Sequence, residues 1–195
     1  MKKQKKQTEI IVIRHAEAYG NKEHIFNGNK IDVGLTAKGK RQAAQLAKNF
    51  KIRPHIILCS PLKRAIQTAF YFEKKYKMKA KIIKELQEQD FGEWSGKSAI
   101  EIKKLYPKYF IPYPNGELSN FISHCPNGES YEKLKKRVKK IFLEIKENYR
   151  GKKILVFCHG VVAIALIELV TKIKPPQLLN LQLKNADFVH FIFEK

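Results

Sequence analysis

Lys153-Ile154-Leu155-Val156-Phe157-Cys158-His159-Gly160-Val161-Val162-Ala163-Ile164-Ala165-Leu166-Ile167-Glu168-Leu169-Val170-Thr171 decides the fold class. Residues 153–158 form a short apolar run that ends at a histidine and a glycine, as a strand buried on both faces does. Residues 160–171 are too long for a typical strand and almost wholly apolar, which reads as a buried helix. A buried strand that turns directly into a buried helix belongs to a mostly parallel sheet with helices packed on it.

Working outward, the same alternation recurs. Thr8 to Arg14 is β-branched and apolar, a second buried strand. Thr36 is placed to cap a helix that runs to about Phe50, with Ala43, Leu46, Ala47 and Phe50 on one face. His55 to Cys59 predicts a strand. Pro61 opens the next helix, which carries Arg64, Ala65, Thr68, Ala69 and Phe72. Lys81 to Ile83 is a further short strand, Phe91 to Gly96 a glycine-punctuated loop, and Ala186 to Phe193 a closing strand. Ser98 to Tyr106 and Ser130 to Tyr149 have helical periodicity. Pro112, Pro114, Gly116, Pro126 and Gly128 argue against long elements in the stretch between them. The expected architecture is a single α/β domain over residues 8–195, preceded by a basic tail at residues 1–7. Its mostly parallel central sheet has helices on both faces.

Composition narrows the function classes. A chain of 195 residues, 44% of them hydrophobic, suits one well-buried domain. The net charge of +21 is carried mainly by lysine, since arginine occurs only at positions 14, 41, 53, 64, 137 and 150. Such a surplus is first a solvated surface, and then a field that attracts anions. It comes with no recognition motif and no aromatic–basic interleaving, so no specific nucleic-acid partner is expected. The apolar run Ile10–Ile13 is too short for a secretory signal, and nothing approaches the ~18 apolar residues of a membrane span. Cys59, Cys125 and Cys158 have neither disulfide-framework nor zinc-site spacing, so reduced thiols and a cytoplasmic location are expected. Cys59 and Cys158 read as small core residues; a second reading makes them oxidation-prone through nearby cations.

The chemistry lies at the strand ends. Parallel sheets bind ligands outside the carboxyl ends of their strands. Three predicted strands end at Arg14-His15, Cys59-Ser60 and Cys158-His159, and Arg64 follows Ser60 by about one helical turn. If these strands are neighbours, two arginines, two histidines and a helix N-terminus share one crevice. That is a pocket for a phosphoryl group. A neutral imidazole there is a competent nucleophile, and the arginines stabilise charge on the transferring group. His15 is the candidate nucleophile, with Arg14, Arg64 and His159 around it. The leaving oxygen needs a proton from a carboxylic acid, and Glu85, Glu88, Asp90 and Glu93 all qualify on sequence. His24, His55, His124 and His190 read as structural or exposed. No metal ligand set and no cofactor are expected.

These segments, in this order, resemble the histidine phosphatase (phosphoglycerate mutase-like) superfamily. Ile11-Val12-Ile13-Arg14-His15-Ala16-Glu17 resembles its Arg-His-Gly-Glu motif, and Asp32 to Gly39 its approach to the first helix. Cys59-Ser60-Pro61-Leu62-Lys63-Arg64-Ala65 resembles its second arginine motif, and Cys158-His159-Gly160 its second histidine. Leu86-Gln87-Glu88 with Phe91-Gly92-Glu93-Trp94-Ser95-Gly96 resembles the acid-bearing segment, which implies Glu88 as proton donor. The resemblance further implies that Asn21 touches the phosphoryl group and that Asn27, Gly28 and Gly160 are substrate contacts. Ala16 replaces the family's usual glycine, so its methyl is expected to crowd the oxyanion or an open loop conformation.

Pro126-Asn127-Gly128-Glu129-Ser130 is similar to a segment of the broad-specificity and α-ribazole-type phosphatases. Mutases carry an arginine pair in a longer insertion, whereas residues 96–128 here hold no arginine. The implied activity is metal-independent hydrolysis of a small phosphorylated metabolite through a phosphohistidine. A phosphoglycerate mutase and a weakly active module that docks a phosphorylated protein are the alternatives. A homodimer is compatible with the sequence. Trp94, Tyr106, Tyr109, Phe110 and Tyr113 read as core packing, with a lid over the substrate as the alternative.

Overall fold

The computed structural model describes residues 7–107, 125–173 and 183–194. The elements in chain order are β1 (Thr8–Arg14), α1 (Ala37–Asn49), β2 (Ile56–Cys59), α2 (Lys63–Tyr76), β3 (Lys81–Ile82), α3 (Ala99–Leu105), α4 (Tyr131–Asn148), β4 (Lys153–Cys158), α5 (Gly160–Thr171) and β5 (Phe188–Phe193). Two single 3-10 turns, Lys84–Leu86 and Gly92–Trp94, lie between β3 and α3. The sheet order is β3-β2-β4-β1-β5; every neighbouring pair is parallel except β1 with β5.

Side-chain alternation divides the core into two layers. Ile10, Val12, Leu58, Ile154, Val156 and Cys158 face α4 and α5, where Leu134, Val138, Val162 and Leu166 pack on them. Ile11, Ile13, Ile57, Cys59, Leu155 and Phe157 face the other way, against Ala47 and Phe50 near the end of α1 and Ala65, Ala69 and Phe72 of α2. Residues buried on alternate faces of the same strand explain why β1 and β4 read as continuous apolar runs rather than alternating ones.

Caps set where the helices begin. Thr36 Oγ1 accepts from Gly39 N at 2.9 Å, and Ser98 makes a reciprocal capping box with Glu101. Ser130 caps α4. Helix α2 begins at Lys63 rather than at Pro61; Leu62 is its uncapped N-terminal residue. The closing strand begins at Phe188 because Ala186 turns the chain at φ +57°. No helix of the described residues is long and apolar enough to cross a membrane.

Candidate active site

Register brings the strand ends level. Arg14 pairs with Cys158, and Ile13 and Cys59 both pair with Phe157. The next backbone groups continue the ladder: His15 N donates to Cys158 O and Ser60 N to Phe157 O, each at 3.0 Å. The three carboxyl ends thus open together on one cavity of about 200 Å3. Arg14, His15 and Asn21 line it, with Arg64 from α2, Glu88 from the loop before α3, and Gly160 and Val161 from the start of α5. His24, Ile25, Phe26, Asn27, Gly28 and Phe91 complete its described wall.

His15 is only 3% exposed, so its orientation is fixed by its neighbours. Its Nδ1 lies 2.7 Å from Ala16 O, an atom that only accepts, so Nδ1 carries the proton and Nε2 is left with its lone pair. Burial, then the Arg64 and Arg14 guanidiniums, holds its pKa well below the ordinary 6.5; the bond to Ala16 O opposes them. The ring is a neutral base beside two fixed cations.

His159 is fully buried and lies against His15, ring centroids 5.2 Å apart. Its Nε2 is 2.7 Å from Ser60 Oγ, which itself accepts from Leu62 N at 3.3 Å. This pairing anchors the His159 ring through Nε2. Burial, then Arg64, His15, Arg14 and Arg137, pushes its pKa well below 6.5. His159 Nδ1 and Arg14 Nε are buried without a hydrogen-bond partner among the described residues. Such groups are costly unless something binds them.

The arginines are held from behind. Arg14 Nη1 donates to Leu183 O at 2.7 Å, and Arg64 Nη2 to Gly28 O at 2.7 Å. Burial lowers both pKa values from the ordinary arginine range, while the Glu88 carboxylate raises them. Thr68 ties the motifs together: its Oγ1 accepts from Ala16 N at 3.0 Å and donates to Arg64 O at 2.7 Å. Gly28 sits at φ +57°, and a Cβ there would stand 2.7 Å from Gln89 O, so only glycine lets this loop lie against the acid-bearing segment.

Glu88 is the one carboxylate that lines the cavity among the described residues. Its Oε1 accepts from Gln89 N at 3.0 Å and its Oε2 from Val161 N at 3.3 Å. Of the competing acids, Glu85 is exposed and outside the cavity lining, and the other two are engaged elsewhere. Glu93 binds Tyr106 Oη and Asn127 Nδ2, and Asp90 binds Gly92 N and Lys30.

Asn21 lines the cavity, but its Oδ1 already accepts from Ala18 N and Asn185 Nδ2, at 2.9 and 3.2 Å. Asn27 is buried and gives its Nδ2 to Tyr19 O at 2.8 Å. A Cβ at Gly160 would make ordinary van der Waals contact with Arg14 Cζ at 3.6 Å and Glu88 Oε2 at 3.7 Å.

One expectation is revised, and two second readings fall away. Ala16 does not adopt positive φ, and its methyl packs with Ala18, Leu35 and Ala43 rather than on the described cavity wall, so it crowds nothing there. Cys59 and Cys158 are buried, and burial pushes both thiols far up from 9.0, which makes them inert core residues. Trp94 is buried in the α4–α5 layer and is no lid. Tyr109, Phe110, Tyr113 and His124 lie outside the described residues. His24, read as structural or exposed, is exposed and also lines the cavity, at φ +54°. No group of three or more His, Cys, Asp or Glu side chains among the described residues could hold a metal ion.

The sequence matches the histidine phosphatase superfamily (branch 1) over residues 10–195. The chain belongs to that superfamily. Phosphoserine phosphatase 1 of Hydrogenobacter thermophilus is 31% identical over 159 residues, 78% of this chain and 71% of that one. A solved Entamoeba histolytica phosphoserine phosphatase in complex with 3-phosphoglyceric acid superposes with TM-score 0.80 at 27% identity, over 95% of this chain and 91% of that chain. The α-ribazole phosphatase of Shigella flexneri shares the fold: TM-score 0.79 at 23% identity, covering 96% of this chain and 94% of that one. Superfamily membership makes the chain an enzyme of the phosphatase class and accounts for the order of its motifs.

Proposed function

We propose that the chain hydrolyses a small phosphorylated metabolite through a phosphohistidine formed on His15 Nε2. The observation that carries this reading is the tied Nδ1 of His15, which aims a neutral nucleophilic nitrogen away from Ala16 O in a cavity lined by Arg14 and Arg64. The partnerless His159 Nδ1 and Arg14 Nε fit an anion bound against His15.

In the first half-reaction His15 Nε2 attacks phosphorus and the ester P–O bond breaks. Glu88 gives its proton to the departing alkoxide. In the second, the Glu88 carboxylate takes a proton from water, the oxygen attacks phosphorus, and the P–N bond breaks to release inorganic phosphate and neutral His15. Arg14, Arg64 and His159 hold the charge that builds on the equatorial oxygens. Asn21, the Asn27-Gly28 turn and Gly160 shape the remainder of the pocket.

The relatives named for phosphoserine phosphatase activity make O-phosphoserine the first substrate to try. Rapid acid and base quenching of a reaction with labelled substrate should trap an acid-labile, base-stable phosphoenzyme that His15→Ala abolishes. Near-native turnover by His15→Ala overturns the reading. With 3-phosphoglycerate and catalytic 2,3-bisphosphoglycerate, phosphate release should exceed isomer exchange; the reverse assigns the chain to the mutases.

A further inference from the structure

Glu88 sits in a segment with little regular structure of its own, one residue beyond the turn after Lys84–Leu86. What holds it is Arg137 of α4. Arg137 Nε and Nη2 fork the Glu129 carboxylate at 2.7 and 2.8 Å. The same guanidinium donates from Nη1 to Glu85 O at 2.5 Å and from Nη2 to Glu88 O at 3.3 Å. Glu129 returns to the segment through its backbone: its carbonyl accepts from Gln89 Nε2 at 2.7 Å, and its N–H donates to Asp90 O at 2.8 Å. The brace is semi-buried, with side chains 18% and 17% exposed, so it is less screened than a surface pair. Neither Arg137 nor Glu129 lines the cavity.

We infer that Arg137, paired with Glu129, is a positioning residue that sets the Glu88 carboxyl for proton transfer to the leaving group. This rests on the reading of Glu88 as the proton donor. Proton transfer needs heavy atoms within about 2.6–3.2 Å, and a displacement of about 1 Å costs on the order of a hundredfold. A loop carbonyl held by a forked guanidinium, itself locked by a carboxylate, supplies that constraint where no strand or long helix does. Lysine cannot stand in, because a single ammonium does not reproduce the planar fork that spans Glu129 and the two carbonyls. The role also gives Glu129 of the Pro126–Ser130 segment a function that needs no contact with substrate.

The test compares phosphoenzyme formation from O-phosphoserine, a poor leaving group, with that from p-nitrophenyl phosphate, which leaves with little protonation. Arg137→Met should slow the first by about tenfold or more, with a much smaller loss for the second and little change in KM. In a Glu88→Gln background the same substitution should add little, because the group it positions is gone. Arg137→Lys and Glu129→Gln should show the same leaving-group dependence in milder form, and they carry the test if Arg137→Met does not fold. Equal slowing of both esters, or full additivity with Glu88→Gln, overturns the positioning role while leaving Glu88 as the acid. If Glu88→Gln itself slows both esters equally, Glu88 is not the acid and the positioning role falls with it.

Discussion

At the scale of single residues, the site works by fixing its two histidine rings. Ala16 O holds the proton of His15 on Nδ1, and the Ser60 hydroxyl anchors His159 through Nε2. The sequence quotes Ser60 beside Cys59 as the end of a strand but gives its hydroxyl no task. Ser60→Ala is the corresponding prediction. It leaves His159 Nε2 buried without its partner, frees the ring to shift, and should lower kcat by about tenfold or more while the fold and KM stay near native. Steady-state kinetics with O-phosphoserine, alongside a thermal melt, measures it. Unchanged kcat removes the serine from the machinery. Arginine usage offered another residue-scale signal. In a chain that takes nearly all its positive charge from lysine, Arg14, Arg64 and Arg137 occupy positions where a fork is required, and only the first two lay inside motifs that could be read.

At the scale of elements, β1, β4 and α5 were legible to the residue, because burial on both faces leaves an apolar run with one reading. The start of α1 was legible from the cap at Thr36, and those of α3 and α4 from helical periodicity beginning at Ser98 and Ser130, which the structure shows to be caps. The opening of α2 was misplaced by two residues, since proline permits a helix start without fixing it. What could not be read was the traffic between elements. Thr68 looks like one more apolar-face position of α2, yet its hydroxyl joins Ala16 N after β1 to Arg64 O inside α2. Likewise, His24 carries no periodicity, and only the loop path places it at the cavity mouth. Thr68→Val keeps the shape and deletes that joint. It orphans the buried Ala16 N–H, so it should cost about 1–3 kcal/mol of stability. It should also lower turnover, because the loop after His15 loses its tie to α2. Denaturant unfolding checks the first effect and steady-state kinetics the second. A variant as stable and as active as the parent means the hydroxyl bridges nothing of consequence.

At the scale of the whole molecule, a surplus of 21 positive charges surrounds a site whose two histidines are kept neutral. On the proposed function, the surface lysines attract the anionic substrate over long range, and burial keeps His15, the proposed nucleophile, unprotonated when it arrives. That arrangement has a thermodynamic consequence. His15 and His159 have folded pKa values well below 6.5, chiefly through burial, while in the unfolded chain both titrate near 6.5. Between those values the unfolded state binds more protons than the folded one, so unfolding free energy rises with pH across that window. Conversely, stability is lost as pH falls below about 6.5, by up to about 1.4 kcal/mol per pH unit for each histidine, and above that pH the two contribute no slope. Other groups titrate too, so the comparison is with His15→Asn/His159→Asn, which removes both imidazoles and keeps polar side chains of similar size. Urea unfolding at about pH 7.5, 6.5 and 5.5 should show the parent losing stability toward acid more steeply than the double variant. The gap between them should open only below about pH 6.5. Parallel profiles would mean that the histidines take up protons in the folded state as readily as in the unfolded one, and the neutral nucleophile proposed for His15 would go with them.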